Sequence, residues 1–245
     1  MRIVTLNTWK NDGDYERRLG LMAAQLSTLG PDLCLFQEVF SGQGSDTAGF
    51  LEDKLGGTAV RFPARQKPRT HLGQSVVSTS GLAILTRLEV RTRTLDLVTD
   101  PRDGERIAAL ADLEIEGGLR ILNLHLCHLG GELGRHLRAE QLAQALAWAE
   151  ADWDGPLLVA GDLNARITDP ELAPLAARGV HNADLGDTLL PGGKGSERRD
   201  EAIDHLVLID PAGRRRILGK FLALNRPDET GLFPSDHAAV VMDIA

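Results

Sequence analysis

Aromatic residues are scarce in this 245-residue chain: one Tyr, three Trp and six Phe, 4% in all. Single strands of nucleic acid are gripped by exposed aromatic platforms on which bases stack. Most rings here sit in apolar patterns, so little is left to build such a platform. Cysteine is scarcer still. Cys34 and Cys127 lie far apart, each in an apolar run and with no CxxC spacing. The pattern predicts buried free thiols in a reducing compartment, not a bridge or a zinc site. No apolar run reaches the ~18 residues of a membrane span. Met1 to Leu6 enter an alternating strand pattern at once, without the charged n-region and long apolar h-region of a signal peptide, so the expected location is cytoplasmic. Positive charge is short as well. With 27 Lys and Arg against 35 Asp and Glu, the net charge is −8. That argues against binding nucleic acid mainly through a broad basic surface. A carboxylate-lined metal site carries negative charge of its own, so a nuclease stays open.

Hydrophobic content of 42% and charged content of 25% are those of a globular protein. A chain of this length buries enough surface to fold without disulfide or metal staples. No repeat or low-complexity tract is visible, and Pro, Gly and Ser are spread through the connections rather than pooled in a linker. The expectation is a single domain over residues 1–245. Arg2–Asn7 and Asp32–Val39 read as strands. Tyr15–Leu29 between them reads as a helix, with Leu19, Met22, Leu26 and Leu29 at helical spacing and Gly30-Pro31 as the stop. Residues 63–80 read as a long polar loop or irregular hairpin. Strands are expected at 81–85, 89–97, 106–115, 119–125, 156–160, 202–208, 214–222 and 238–244. Helices are expected at 50–55, at 132–153 and after Pro170. Strands outnumber helices, and the two long helices fall in separate halves. That suggests two packed sheets with helices outside.

Several polar residues stand at the ends of apolar strands. Asn7 ends the first strand, Glu38 lies within Leu35-Phe36-Gln37-Glu38-Val39, and His125 ends Ile121-Leu122-Asn123-Leu124-His125. Asp162 and Asn164 follow Leu157–Ala160, Asp204 lies in Ala202–Leu208, and Asp236 and His237 precede Ala238–Val241. Each alone reads as a turn, cap or satisfied core residue. A buried carboxylate is costly unless paired or metal-bound, however. So many at strand ends point to one acidic, imidazole-containing cavity. Carboxylates and Asn amides suit a hard cation such as Mg²⁺ or Mn²⁺, and histidines suit proton transfer or phosphate contact.

The ordered segments LNTW (6–9), FQEV (36–39), GLAILTR (81–87), NLHL (123–126), GDLNA (161–165), IDHLVL (203–208) and SDHAAV (235–240) resemble those of the endonuclease/exonuclease/phosphatase (DNase I-like) superfamily. The resemblance spans the whole chain. It implies an α/β (α+β) fold, a four-layer α/β/β/α sandwich of two packed mixed β-sheets flanked by helices. It also implies a divalent-metal-dependent hydrolase of phosphate esters, with Mg²⁺ or Mn²⁺ as cofactor and in-line attack by activated water. By the resemblance, Glu38 is the principal metal ligand, with Asn7 beside it and Asp236 at the same or a second metal. Asp162 orients or deprotonates the attacking water, and Asn164 holds the phosphate or the metal-bound oxygen. His237 contacts the scissile phosphate, Asp204 holds its imidazole, and His125 donates to the phosphate or protonates the leaving oxygen. Arg106 matches a phosphate-binding arginine. His205, where relatives often have a large residue, is expected to point to the other sheet face and stay out of the site.

The scaffold leaves the substrate to the loops. Lys67, Arg69 and His71, then Arg135, His136 and Arg138, and then Lys194, Arg198 and Arg199 are candidates for an anionic substrate or for ordinary solvated charge. Arg214, Arg215, Arg216 and Lys220 read as edge-strand charge, and Trp9 as pocket lining or core. The expected partner is a phosphate-ester substrate, nucleic acid or a small phosphodiester, turned over by a monomer with no stable protein partner and no transmembrane segment. A phosphodiesterase is the leading reading, with a phosphomonoesterase as the alternative. A non-catalytic module on the same fold would have lost one or more of these site residues, and none is lost.

Overall fold

The structure, a computed structural model, describes residues 1–190 and 201–245. In the first half, β1 (Arg2–Asn7) runs through α1 (Tyr15–Leu29) into β2 (Leu33–Gly42). There follow β3 (Ser45–Asp46), α2 (Thr47–Leu55) and the long hairpin of β4 (Thr58–His71) and β5 (Gln74–Thr86). The second half has β6 (Val90–Asp96), β7 (Ile107–Leu113), β8 (Leu119–His125), α3 (Gly131–Glu150), β9 (Leu157–Asp162) and the short α4 (Ala173–Ala176) behind a 3-10 turn. It ends with β10 (Asp204–Ile209), β11 (Ile217–Ala223) and β12 (Ala239–Ile244). The seven-stranded sheet has the order β11-β12-β1-β2-β5-β4 with β3 beside β2, and the five-stranded sheet the order β10-β9-β8-β7-β6.

Each sheet is mixed, and each has one parallel pair. β1 and β2 are parallel across α1, and β8 and β9 are parallel across α3. Ile3, Leu33, Leu35, Ile84 and Val240 of one sheet meet Ala109, Ile121, Leu158, Ala160 and Leu206 of the other in the central core. The alternate residues Val4, Cys34, Phe36, Ala83 and Val241 face outward, onto Met22, Ala23 and Leu26 of α1 and Leu51 of α2. On the second sheet Leu110, Leu122, Val159 and Val207 face Leu142, Ala145, Leu146 and Ala149 of α3. These are the four layers α/β/β/α. Both faces of each sheet are covered, which is why the strands read as unbroken apolar runs.

Helix α1 stops where its sequence says. Gly30 takes the left-handed conformation (φ 59°) and donates its N–H to Leu26 O. The polar stretch 63–80 forms the two arms of a regular hairpin, in register from Thr58↔Thr86 to His71↔Gln74 apart from one bulge at Pro63/Arg65. Its tip, Leu72-Gly73, has positive φ at both residues, the geometry of a tight two-residue hairpin turn. Pro63 and Pro68 are tolerated because β4 is an edge strand. Cys34 and Cys127 are buried and free, and burial pushes the Cys34 thiol up to about 12. No helix among the described residues is long and apolar enough to cross a membrane.

Candidate active site

The carboxyl ends of both parallel pairs open at the same edge of the sandwich. Strands antiparallel to them begin there, so their first residues join the cluster. Asn7, His125 and Asp162 come from the ends of β1, β8 and β9, and Glu38 from within β2, one residue past the Asn7–Gln37 pair where its parallel pairing with β1 stops. Asp204 starts β10, and Asp236 and His237 lead into β12. Ligand crevices in α/β sheets form at such carboxyl ends. Here a cavity of about 610 Å³ is lined by Asn7, Glu38, Arg106, His125, Asp162, Asn164, Asp236 and His237. Asp204 lies behind His237, with no solvent exposure.

A bulge aims Glu38. The β2–β5 register shifts between Phe36 and Val39, and Glu38 takes φ 55°. Bulges turn side chains out of the ladder and recur beside active sites. A non-glycine residue in the left-handed region costs roughly 1–3 kcal/mol, and such outliers gather at functional sites. Trp9 (φ 55°), Lys10 (φ 42°) and Asn164 (φ 51°) are also left-handed and line the same cavity. The Lys10 ammonium is ion-paired with Glu38 Oε1. Buried Arg18 of α1 holds the turn that carries Lys10. It donates to the carbonyls of Thr8, Trp9, Lys10 and Asp12, and to Pro234 O just before Asp236. Trp9 lines the cavity with Arg18 over its ring, 4.6 Å from the centroid. Arg18 continues the buried stripe of Tyr15, Leu19 and Met22. That spacing could have singled it out from the sequence, whereas nothing in the sequence singled out Lys10.

Asp162 is the hub. Its Oδ2 accepts from Asn7 Nδ2 at 2.9 Å and its Oδ1 from Asn164 N at 3.0 Å. His125 Nε2 lies 3.5 Å and His237 Nε2 4.0 Å from the same Oδ2. Burial first, then the neighbouring Asp204, raises the Asp162 carboxyl to about 6 against the pull of His237, Asn7 and Asn164. Gly161 makes this approach feasible: a Cβ there would lie 1.9 Å from Leu124 O. Asn164 also donates from Nδ2 to Leu126 O at 3.0 Å, which fixes its amide.

His237 and Asp204 form a dyad, Nδ1 to Oδ2, 2.8 Å. Burial pushes the imidazole down, but Asp204, then Asp162 and Asp236, outweigh it and hold the pKa up at about 10. His125 moves the other way. Burial, then the charges of Arg106, Lys10 and His237, carry it well below the ordinary value, so it is neutral. Asp236 is also raised, by burial. Asp162, Asp204 and His237 bring ligand atoms within 4.8 Å of one another. Among the residues that line the cavity, Glu38, Asn7, Asp162 and Asp236 carry oxygen donors, which suit a hard divalent cation.

Arg106 stands beside the site, in a cluster the sequence did not signal. It donates to both oxygens of Asp103 (2.7 and 2.6 Å) and to His125 O at 3.3 Å. Asp103, with no side-chain exposure, also takes His128 Nδ1 at 2.5 Å, and His128 lines the cavity. These partners hold the Asp103 carboxyl far below the usual range against the opposing effect of its burial.

Most of the other candidates lie elsewhere. His71 is buried, hydrogen-bonded to Ser45 Oγ and packed edge-on against Tyr15, so it serves the core rather than a substrate. Arg138 is buried in an ion pair with Glu171 at 2.7 Å, while Arg135 and His136 are exposed on α3. Lys67 and Arg69 do line the cavity. Arg215 and Lys220 bond to backbone carbonyls near the edge strand β11. His205 points away and shares a hydrogen bond with Ala165 O at 2.9 Å. Lys194, Arg198 and Arg199 lie outside the described residues.

A model of the Endonuclease/Exonuclease/phosphatase family matches residues 4–237. The chain belongs to that family, whose members are metal-using hydrolases of phosphate esters. No curated protein matches it. Solved structures share its fold. An endonuclease/exonuclease/phosphatase of Beutenbergia cavernae is 21% identical with a TM-score of 0.75, over 100% of this chain and 71% of that one. A mannosyl-6-phosphatase of Bacteroides thetaiotaomicron is 16% identical with a TM-score of 0.71, over 100% and 99%. TDP2 of C. elegans is 17% identical with a TM-score of 0.68, over 98% and 74%.

Proposed function

We propose that this chain is a divalent-metal-dependent phosphodiesterase, acting as a single domain, that attacks phosphorus in line with water. The observation that carries the reading is the convergence on Asp162. One buried carboxylate, raised to about 6, lies within 4.0 Å of a neutral imidazole and of one held protonated. Acid and base roles follow from environments that push titrations apart. Asp162 orients the water and takes its proton, and Asn7 and Asn164 hold that carboxylate in place. The His237 imidazolium, fixed by Asp204, faces the charge growing on the phosphate oxygens. His125 donates to the leaving oxygen and gives it a proton as the P–O bond breaks, and Asp162, 3.5 Å away, returns to His125 the proton it took from water. Arg106, held by Asp103, offers guanidinium N–H groups to the phosphate from the cavity wall.

Glu38 and Asp236, with the Asn7 amide oxygen, would hold a Mg²⁺ or Mn²⁺ ion. When bound, the cation neutralises charge on the reacting phosphate and lowers the pKa of water. The Lys10 ammonium on Glu38 competes with it and would swing toward the substrate phosphate. A cavity of about 610 Å³ exceeds what a lone phosphate needs and leaves room for two ester substituents. The similarity to a mannosyl-6-phosphatase keeps the monoester in the test. The experiment is hydrolysis of bis-(p-nitrophenyl) phosphate and p-nitrophenyl phosphate with Mg²⁺ or Mn²⁺, against EDTA and His237→Ala. Metal-dependent turnover of the diester, lost in the variant, is expected. Turnover of the monoester alone would move the assignment to a phosphatase, and no turnover of either would remove it.

A further inference from the structure

The part of the cavity wall built by β4 is basic. Arg65, Lys67 and Arg69 alternate along β4, each facing its β5 partner in register, Ser80, Ser78 and Val76. Alternate residues of a strand share a face, so the three form a row roughly 13 Å long at ~3.3 Å per residue. All three line the cavity.

The row carries three positive charges. Carboxylates outnumber cations 35 to 27 in this chain, yet among the described residues none of the three is in an ion pair. Each hydrogen bond that anchors the two arginines goes to a neutral oxygen. Arg69 donates to Ser78 O (3.0 Å), Ser78 Oγ (2.9 Å) and Ser80 Oγ (2.6 Å), and Arg65 donates to Asp103 O (2.9 Å). These bonds orient the guanidiniums without neutralising them. Arg69 Nε is buried with no hydrogen-bond partner. Burial, then mutual repulsion with Arg65 and Arg69, holds the Lys67 ammonium below its ordinary value, although Asp12 pulls it up. Burial and Arg65 do the same to Arg69 against Glu38 and Asp12. Like charges lined up on one hairpin, with both guanidiniums oriented and no ion pair among the described residues, form a site prepared for an anion. A guanidinium fork matches phosphate oxygens in particular.

We propose that Arg65, Lys67 and Arg69 form a second anion subsite, which takes a further phosphate of the substrate beside the one hydrolysed. The proposal rests on the phosphodiesterase reading and specifies its substrate class: a phosphodiester that carries at least one additional phosphate. The end of an oligonucleotide and a small bisphosphate share this chemistry, and the test separates them.

The experiment compares kcat/KM for three esters: thymidine 5′-(p-nitrophenyl phosphate), its 3′-phosphorylated form, and a form extended at the 3′ end by three nucleotides. In the wild type the 3′-phosphate is expected to raise kcat/KM about tenfold, the size of one charge-assisted contact. Lys67→Ala should shrink that advantage to about twofold and Lys67→Glu should abolish it. Gln66→Ala, on the other face of the strand, should keep it. A further gain from the extension supports an oligonucleotide, and none supports a small bisphosphate. An equal kcat/KM with and without the 3′-phosphate, or an unchanged ratio in Lys67→Glu, overturns the subsite. If no ester is turned over, the phosphodiesterase reading fails, and calorimetry with thymidine 3′,5′-bisphosphate in EDTA still decides the subsite. There the wild type should bind about tenfold more tightly than Lys67→Glu, and equal affinity overturns the proposal.

Discussion

His237 Nδ1 lies 2.8 Å from Asp204 Oδ2, and the two residues belong to different sheets. Asp204 opens β10 in the five-stranded sheet, and His237 leads into β12 of the seven-stranded one. The dyad is a contact between the sheets and holds only while they pack in this register. Ser235 reinforces it from the β12 side, donating Oγ to Asn7 O at 2.6 Å.

The dyad sets a pH dependence. With Asp162 raised to about 6 and His237 to about 10, activity should rise as pH passes 6, when the base ionises, and fall as it approaches 10, when the imidazolium is lost. Asp204→Asn removes the charge that holds His237 protonated. The alkaline limb should then move down toward the ordinary 6.5 and kcat should drop about 10²–10³-fold, as for loss of one transition-state contact. Stability follows the same sign. The folded pKa lies above the ordinary value, so the dyad's contribution is complete below about 6.5 and is lost as pH rises through 10. A pH–rate profile and urea melts at pH 6 and pH 10 check both.

Lys10 and a divalent cation should compete for Glu38. Lys10→Met removes the ammonium from Glu38 Oε1 and is expected to tighten Mn²⁺ binding by about tenfold, measured by calorimetry without substrate. Glu38→Gln should weaken it by at least as much. Unchanged affinity in both variants would place the metal elsewhere.

Gln37 and Asn123 link the sheets beneath the site. Gln37 Nε2 donates to Asn123 Oδ1 at 2.7 Å and to Thr5 Oγ1 at 3.0 Å, all without solvent exposure. Gln37→Leu leaves Asn123 Oδ1 without its partner and should cost about 1–3 kcal/mol in urea unfolding, while Asn123→Leu leaves Gln37 Nε2 its bonds to Thr5 Oγ1 and Leu35 O and should cost less. The double variant should cost less than the two singles together.

Arg138 carries a packing prediction of the same kind. Its guanidinium holds Glu171 Oε1 and the carbonyls of Cys127 and Leu129 in the interior. Arg138→Met would leave Glu171 charged and buried, a loss of about 3–5 kcal/mol. Arg138→Met with Glu171→Leu should recover most of it.

Much of this protein was legible in its sequence because the signals are local. Helical spacing and the Gly30-Pro31 stop mark α1, and apolar runs mark the strands. Polar residues that break those runs at their ends, Asn7, Glu38, His125 and Asp162, mark the cavity, since burial of a carboxylate or imidazole demands a partner. Contacts between distant segments were hidden. Nothing near Lys10 in the sequence announces the Glu38 ion pair, because a bulge and two left-handed residues create it. His71 and Arg138 look like surface charge until the fold buries them against Tyr15 and Glu171. The Arg65–Lys67–Arg69 row became a wall only when the 63–80 stretch paired as a hairpin. The sequence alone determined the family, most of the strands and helices and the polar residues at the strand ends, because periodicity and the cost of burying charge act within a strand or helix. Only the tertiary structure decided which charges pair and which remain free, because Coulomb attraction and hydrogen bonding depend on distances that the packing of the two sheets sets.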